Sequence, residues 1–177
     1  MLIFTFILSV NSFGDTPLLA PEEKRVCDLW MNYCAYIHPE EGTTVYSVKG
    51  AFNLTKLYDI PGWHRSAHVS FNGEYFVSGY NGLNLVPLDI SNDKIMITIW
   101  KNGVMHKEIK FGQLIRDMRK LERTSSHYHW GSIEMVNASL LYLDTVDNRI
   151  VVNLESGLVE HYEVNKPLNN DAKNGAH

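Results

Sequence analysis

The stretch Trp63–Gly82, WHRSAHVSFNGEYFVSGYNG, decides the fold class of this chain. Apolar and polar residues alternate in the two runs 69–71 and 75–78, and Asn72-Gly73 separates them. Alternation of this kind is typical of a half-buried strand, and Asn-Gly favours the positive φ angles of a tight hairpin turn. We therefore predict a β-hairpin over this stretch.

Similar patterns extend over most of the chain. A second hairpin is expected over Lys94–Phe111, with its turn at 102–103, and further strand patterns occupy 26–48, 54–58 and 140–164. Only 113–121 places apolar residues at helical spacing. The sequence predicts a mainly β fold, an antiparallel meander of hairpins with one short amphipathic helix near 113–121.

Length and composition limit the domain count and the class of partner. The 177 residues, with 45% hydrophobic and 20% charged side chains, suit one globular β domain, which we place at 26–164. The polar residues 165–177 are expected to form a disordered tail. A net charge of -4 argues against a nucleic-acid partner, because such proteins usually carry a clustered basic surface.

The first residues indicate export. The apolar run 2–10 is too short to span a bilayer and is followed by small residues, so residues 1–14 are predicted to be a signal peptide cleaved after Gly14. The basic leader of such peptides is missing, and a buried N-terminal strand is the alternative. Residues 15–25 would form a tether, the mature chain would contain no membrane span, and the protein would be periplasmic or secreted.

Two cysteines are present, Cys27 and Cys34. If the segments 26–29 and 33–37 are the two arms of a hairpin, the sulfurs can meet across the strand pair. The even cysteine count, together with the export signal, predicts a disulfide between them, and two reduced, buried thiols are the alternative.

The units His68–Tyr80, Ile95–Ile109 and Thr145–Glu160 resemble the blades of β-propeller-type proteins. The cysteine hairpin and the segments PGWHRSAHVS and RTSSHYHWG also resemble a group of exported bacterial proteins without assigned activity. The resemblance implies about three blade-like units, fewer than a closed propeller needs, so a partial propeller, a sandwich or an open barrel is expected. It implies no catalytic residues.

Aromatic residues beside glycine-containing turns are the candidates for binding. Trp63 and Tyr80 lie next to such turns, and exposed Trp and Tyr on rigid loops are typical of binding hot spots. We predict a binding surface formed by Trp63, His64, Tyr80 and Asn81, although a core role is the alternative for each aromatic.

His127 and His129 flank Tyr128, so on a strand both imidazoles would share a face, as zinc ligands do. No third ligand is evident from the sequence. The function predicted is therefore an exported, non-enzymatic binding module with a protein partner, inhibitor-like or immunity-like, without a cofactor. The alternative is a metal-dependent hydrolase that uses this histidine pair and zinc.

Overall fold

Three four-stranded antiparallel sheets succeed one another along the chain in this computed structural model, which describes residues 18–50, 53–145 and 148–163. The strands are β1 Lys24–Cys27, β2 Tyr33–His38, β3 Gly42–Lys49, β4 Asn53–Ile60, β5 Ala67–Val69, β6 Tyr75–Gly79, β7 Leu85–Pro87, β8 Ile95–Lys101, β9 Val104–Lys110, β10 Glu122–Arg123, β11 His127–His129, β12 Ser132–Val136, β13 Leu140–Asp144, β14 Asn148–Asn153 and β15 Val159–Glu163.

Each of these sheets is a meander in which neighbouring strands are close in sequence. The first sheet contains β1 to β4, the second contains β5, β6, β8 and β9, and the third contains β12 to β15. Strand β7 lies between β6 and β8 in sequence but belongs to a small three-stranded sheet, in which β11 pairs with both β7 and β10. The predicted mainly β, antiparallel meander is confirmed, and none of the described sheets closes into a barrel.

The sheets pack face to face in chain order. One apolar cluster joins the first and second sheets, and a larger one joins the second and third. The second sheet is therefore covered on both faces, which explains why four consecutive residues of β6 are buried instead of every second one. The fully buried side chains that form these clusters include Ala35, Ile37, Val45 and Phe76 between the first pair, and Val77, Ile97, Ile99, Leu141, Leu143, Ile150 and Val152 between the second.

Both predicted hairpins are confirmed. Asn102 and Gly103 have φ angles of 49° and 82°, and Lys101 pairs with Val104 across a two-residue turn. At the other hairpin only Gly73 has a positive φ, and the Gly73 amide donates to the Ser70 carbonyl. That turn is wider than predicted, but the strand register is the one that an Asn72-Gly73 turn implies.

The helix is shorter than the predicted range 113–121. Helix α1 covers Phe111–Leu114, and a 3₁₀ turn follows at Met118–Lys120. The Asp117 side chain accepts a hydrogen bond from the Arg119 amide at 3.1 Å and so caps the second turn separately. An aspartate at this position competes with the continuous helical hydrogen-bond pattern, and the segment divides in two. No helix in the described ranges is long and apolar enough to cross a bilayer.

The predicted disulfide is confirmed. Cys27 and Cys34 are paired residues of β1 and β2, and their sulfurs are bonded with a Cα–Cα distance of 4.0 Å. Strand β1 begins at Lys24, so the last residues of the predicted tether belong to the first sheet. The predicted signal peptide 1–14 and the predicted tail 165–177 lie outside the described residues.

Candidate functional site

The first two sheets have two distinct ends, and the predicted binding residues all lie at one of them. At this end, the Lys24 ammonium group donates to the Arg65 carbonyl, just before β5. At the other end, the β5–β6 turn approaches the β1–β2 hairpin, where Gly73 lies against the Tyr33 ring. The segments that follow β4 and β6 therefore emerge side by side, because both strands run towards the same end.

These two segments form the walls of a cleft of about 360 Å³. We call it the aromatic cleft, and its lining residues are Pro61, Gly62, Trp63, His64, Ser78, Gly79, Tyr80, Asn81, Lys94, Ile95, Met96, Thr98 and Trp100. All four residues predicted from the sequence, Trp63, His64, Tyr80 and Asn81, are among them. The structure brings together two pairs that are seventeen residues apart in sequence, and it leaves their binding role as a prediction.

Trp63 is held in place by polar and cationic contacts. Its indole N–H donates to the Glu22 carbonyl at 2.8 Å. The Arg65 guanidinium and the Lys24 ammonium lie 4.9 Å and 5.3 Å from its ring centroid. The ring is half-buried and packs against the core between the first two sheets. These contacts hold the Trp63 ring in place as one wall of the aromatic cleft. The hydrogen bond to Glu22 also attaches part of the predicted tether to the domain.

His64 lies next to Trp63 in the same wall of the cleft, closer to the core. Its ring centroid lies 5.2 Å from that of Phe76 and 6.3 Å from that of Trp100. Burial lowers the pKa of His64, and a backbone contact with Pro61 opposes this shift. The Nε2 atom is buried and has no protein hydrogen-bond partner. Near neutral pH, His64 therefore presents an uncharged aromatic ring to the cleft.

Tyr80 and Asn81 form the opposite wall at the end of β6. The Leu83 amide donates to the Tyr80 carbonyl at 3.0 Å and closes the turn that carries both residues. Lys94 lies over the Tyr80 ring with its ammonium group 5.7 Å from the centroid. Tyr80 is half-buried, whereas Asn81 is exposed. Asn81 is therefore the predicted residue most accessible to a partner.

The charge of the site is opposite in sign to that of the whole chain. A wider cleft of about 770 Å³ adjoins the aromatic cleft, and both are lined by Trp63, Tyr80, Asn81 and Lys94. The wider cleft adds Arg65 and His127. None of the described residues that line either cleft is Asp or Glu. A chain with a net charge of -4 therefore concentrates cations and aromatic rings here.

The two histidines of the predicted metal pair share one face of a strand, and their metal-binding role stays a prediction. His127 and His129 pair with Pro87 and Leu85 on the same face of the small sheet, as the sequence predicted. However, no group of three His, Cys, Asp or Glu residues suited to a metal occurs in the part of the chain that the structure describes. His106, on β9, contacts the Glu155 carbonyl at 2.8 Å.

A smaller cleft of about 240 Å³ lies beside α1 and the 3₁₀ turn. Its lining mixes acidic and basic groups, including Asp117, Glu163 and Lys120, and no Trp, Tyr or Phe is among the described residues that form it. The Asp117 carboxylate is engaged by Arg119, and this contact lowers the pKa of Asp117 to about 2. The aromatic cleft is therefore the better binding candidate, since hot spots favour large aromatic anchors.

Sequence reasoning missed three residues of these clefts. Lys94 and Trp100 line the aromatic cleft, and Arg65 and Lys94 line the wider cleft. Lys94 and Trp100 belong to the β8 segment, which pairs with β6 so that Gly79 lies opposite Ile97. This pairing places the beginning of β8 beside the turn that carries Tyr80. Strand β7 separates β6 from β8 in sequence, so the strands do not form a simple hairpin and the pairing gave no short-range signal.

Comparison with known proteins gives no further assignment. No family model, curated protein or solved structure matches the chain. The function is therefore inferred from the geometry of the aromatic cleft and from the sequence.

Proposed function

We propose that this protein is an exported, non-enzymatic binding module that engages a protein partner at the aromatic cleft, in the manner of a periplasmic inhibitor or immunity protein. The observation that carries the proposal is the convergence of Trp63, His64, Tyr80 and Asn81 on one cleft. Rigid aromatic side chains at a concave site are the usual anchors of protein interfaces, and the strands behind them limit the entropy lost on binding.

The lining of the cleft favours an acidic partner surface. Lys94 and Arg65 each lie over an aromatic ring, and no Asp or Glu lines the cleft in the described ranges. Carboxylates on a partner could form ion pairs with Lys94 and Arg65, and the electrostatic attraction would increase the association rate. Part of the site is already occupied by the chain itself, since the Glu22 carbonyl accepts the Trp63 N–H.

Export is supported by the disulfide. Cys27 and Cys34 form a bond that persists in oxidising compartments and is rare in the cytosol. Together with the apolar segment at 2–10, it favours a periplasmic or secreted location. Intact-mass measurement of the mature protein without reductant tests this point. Cleavage after Gly14 and the absence of free thiols are expected, and an uncleaved first segment or two free thiols would contradict export.

Charge reversal tests the cleft itself. Lys94→Glu should greatly reduce capture of the partner from the native compartment, because it places a carboxylate where we expect the partner's own. Arg116→Glu is a matched control, since Arg116 is an exposed cation that lines the smaller cleft. Equal capture by both variants would exclude the aromatic cleft as the contact surface.

A further inference from the structure

The β1–β2 hairpin ends in three consecutive exposed apolar side chains. Leu29, Trp30 and Met31 are 68%, 67% and 61% exposed. We call residues 28–32 the hairpin tip. An exposed patch of this kind is costly in water and usually marks a surface that contacts something else. The aromatic cleft does not use these residues, because it lies at the opposite end of the first sheet.

The hairpin tip projects beyond the neighbouring sheet. Residues 53–57 of β4 are exposed along their whole length, whereas Tyr58 is buried and donates its hydroxyl to the Gly73 carbonyl at 2.8 Å. Gly103, in the β8–β9 turn, lies beside the backbone of Asp59. The turns of the second sheet reach the first sheet at Tyr33, Tyr58 and Asp59, and the exposed residues 29–31 of the hairpin tip lie beyond these contacts.

Internal hydrogen bonds pair about half of the backbone polar groups of the hairpin tip. The Asp28 carboxylate accepts from the amides of Trp30 and Tyr33 at 3.2 Å and 2.7 Å. The Met31 amide donates to the Asp28 carbonyl, and the Asn32 carbonyl accepts from the Val48 amide. The disulfide closes the base of the turn. This pairing lowers the cost of placing the tip in the headgroup region of a bilayer, where water and headgroups can pair with the remaining backbone groups.

The charges around the hairpin tip favour an anionic surface. Its one acidic residue, Asp28, is buried at 5% exposure, with both carboxylate oxygens hydrogen-bonded. Lys49 ends the neighbouring strand and is exposed, and Arg25 is exposed on β1. The next charges along the sheet, Lys56 and Asp59, form an ion pair at 2.6 Å. Basic residues therefore flank the apolar tip, as they do in segments that bind anionic lipids.

We propose that the hairpin tip inserts Leu29, Trp30 and Met31 into the headgroup region of an anionic bilayer, with Lys49 and Arg25 near the lipid phosphates. The protein would be held reversibly at a membrane surface without spanning it. The aromatic cleft, at the opposite end of the first sheet, would then face away from the bilayer. Tryptophan suits this position, because its amphipathic ring prefers the membrane–water interface.

Vesicle co-sedimentation with the oxidised full chain tests the proposal. The probes are vesicles of phosphatidylcholine alone and vesicles in which about one third of the lipid is phosphatidylglycerol. The wild-type chain should sediment with the anionic vesicles, and Trp30→Ser should reduce partitioning by roughly tenfold. Val104→Ser is the matched control, because Val104 is 70% exposed but begins β9 in the second sheet. It should bind like the wild type.

Two further variants keep the test decisive. Leu29→Ser should weaken partitioning independently of Trp30, and Lys49→Glu should weaken it on anionic vesicles alone. Unchanged melting temperatures would show that the variants remain folded. The proposal is overturned if the wild-type chain does not bind anionic vesicles, or if Trp30→Ser binds them as well as Val104→Ser does. A protein complex that requires the hairpin tip, without vesicle binding, would also overturn it.

Discussion

Tyr80 allows binding and folding to be tested separately. Its ring is half-buried at the wall of the aromatic cleft, under Lys94. We predict that Tyr80→Ala weakens partner binding by about 2 kcal/mol, roughly thirtyfold in Kd, and lowers the melting temperature by only a few degrees. Titration of the captured partner against both proteins, with thermal melts, measures the two effects. Tyr162→Ala is the control, since Tyr162 is 50% exposed on β15.

Trp63→Ala should weaken binding similarly but reduce stability more than Tyr80→Ala, because it also removes the indole contact with the Glu22 carbonyl. Thermal melts and partner titration should be performed together. If Trp63→Ala unfolds the protein, Trp63 is a core residue and should be removed from the proposed surface.

His68 predicts how stability depends on pH. Burial, with a smaller contribution from Lys24, lowers the pKa of His68 to about 4, while Glu134 opposes the shift. The unfolded chain, with an ordinary pKa near 6.5, then binds more protons than the folded chain between about pH 4 and 6.5. The contribution of His68 to the free energy of unfolding is at its maximum above that range. It decreases by roughly 3 kcal/mol as the pH falls from about 6.5 to about 4.

Urea denaturation from pH 4 to 7 measures this effect. We expect His68→Gln to reduce the pH dependence of the unfolding free energy in that range. An unchanged slope in the variant would show that His68 is not the group responsible.

At the scale of elements, Gly73 shows how the first two sheets fit together. A Cβ at Gly73 would lie 2.2 Å from the Tyr33 ring, whereas a Cβ at Gly50 would meet nothing within 4 Å among the described residues. Both glycines have positive φ, 69° and 72°. Gly50→Ala should therefore cost about 1 kcal/mol from the backbone alone. Gly73→Ala should cost at least about 2 kcal/mol more, because the ring must move.

Chemical denaturation of the two variants gives both values. Equal destabilisation would mean that the β5–β6 turn does not pack against the first hairpin as described.

The disulfide stabilises the first hairpin locally. It closes a short loop, with a sequence separation of 7, so the double variant Cys27→Ser, Cys34→Ser should lose about 2 to 3 kcal/mol. Urea denaturation of the oxidised wild type and the double variant measures this loss. Equal stability of the two proteins would contradict a stabilising role for the bond. The hairpin tip should also become more mobile, which hydrogen exchange at Trp30 and Met31 would detect.

At the scale of the whole molecule, local patterns predicted most strands but not the path between sheets. Alternation and the turns at 72–73 and 102–103 were sufficient for both hairpins, and cysteine spacing was sufficient for the disulfide. The helix at 113–121 was predicted too long because Asp117 caps a separate turn. Helical spacing alone carries no information about such a cap.

The candidate site was predicted only in part. Trp63 and Tyr80 stood out because they lie beside turns, and the structure places both on one cleft. The basic character of the cleft was missed. Lys94 lies at the cleft because β8 pairs with β6, and β7, which belongs to another sheet, separates these two strands in sequence. Long-range pairing of this kind is set by packing between sheets, which a single sequence does not display.

We propose that the aromatic cleft is the partner-binding surface. Site-specific photocrosslinking tests it most directly, with a crosslinking amino acid at Asn81 on the cleft and, as a control, at Asn53 at the opposite end of the first sheet. Both residues are exposed. We predict a discrete protein adduct from position 81 that is lost when Tyr80→Ala is added, and no such adduct from position 53. An adduct from position 53 alone, or one from position 81 that persists with Tyr80→Ala, would contradict the claim.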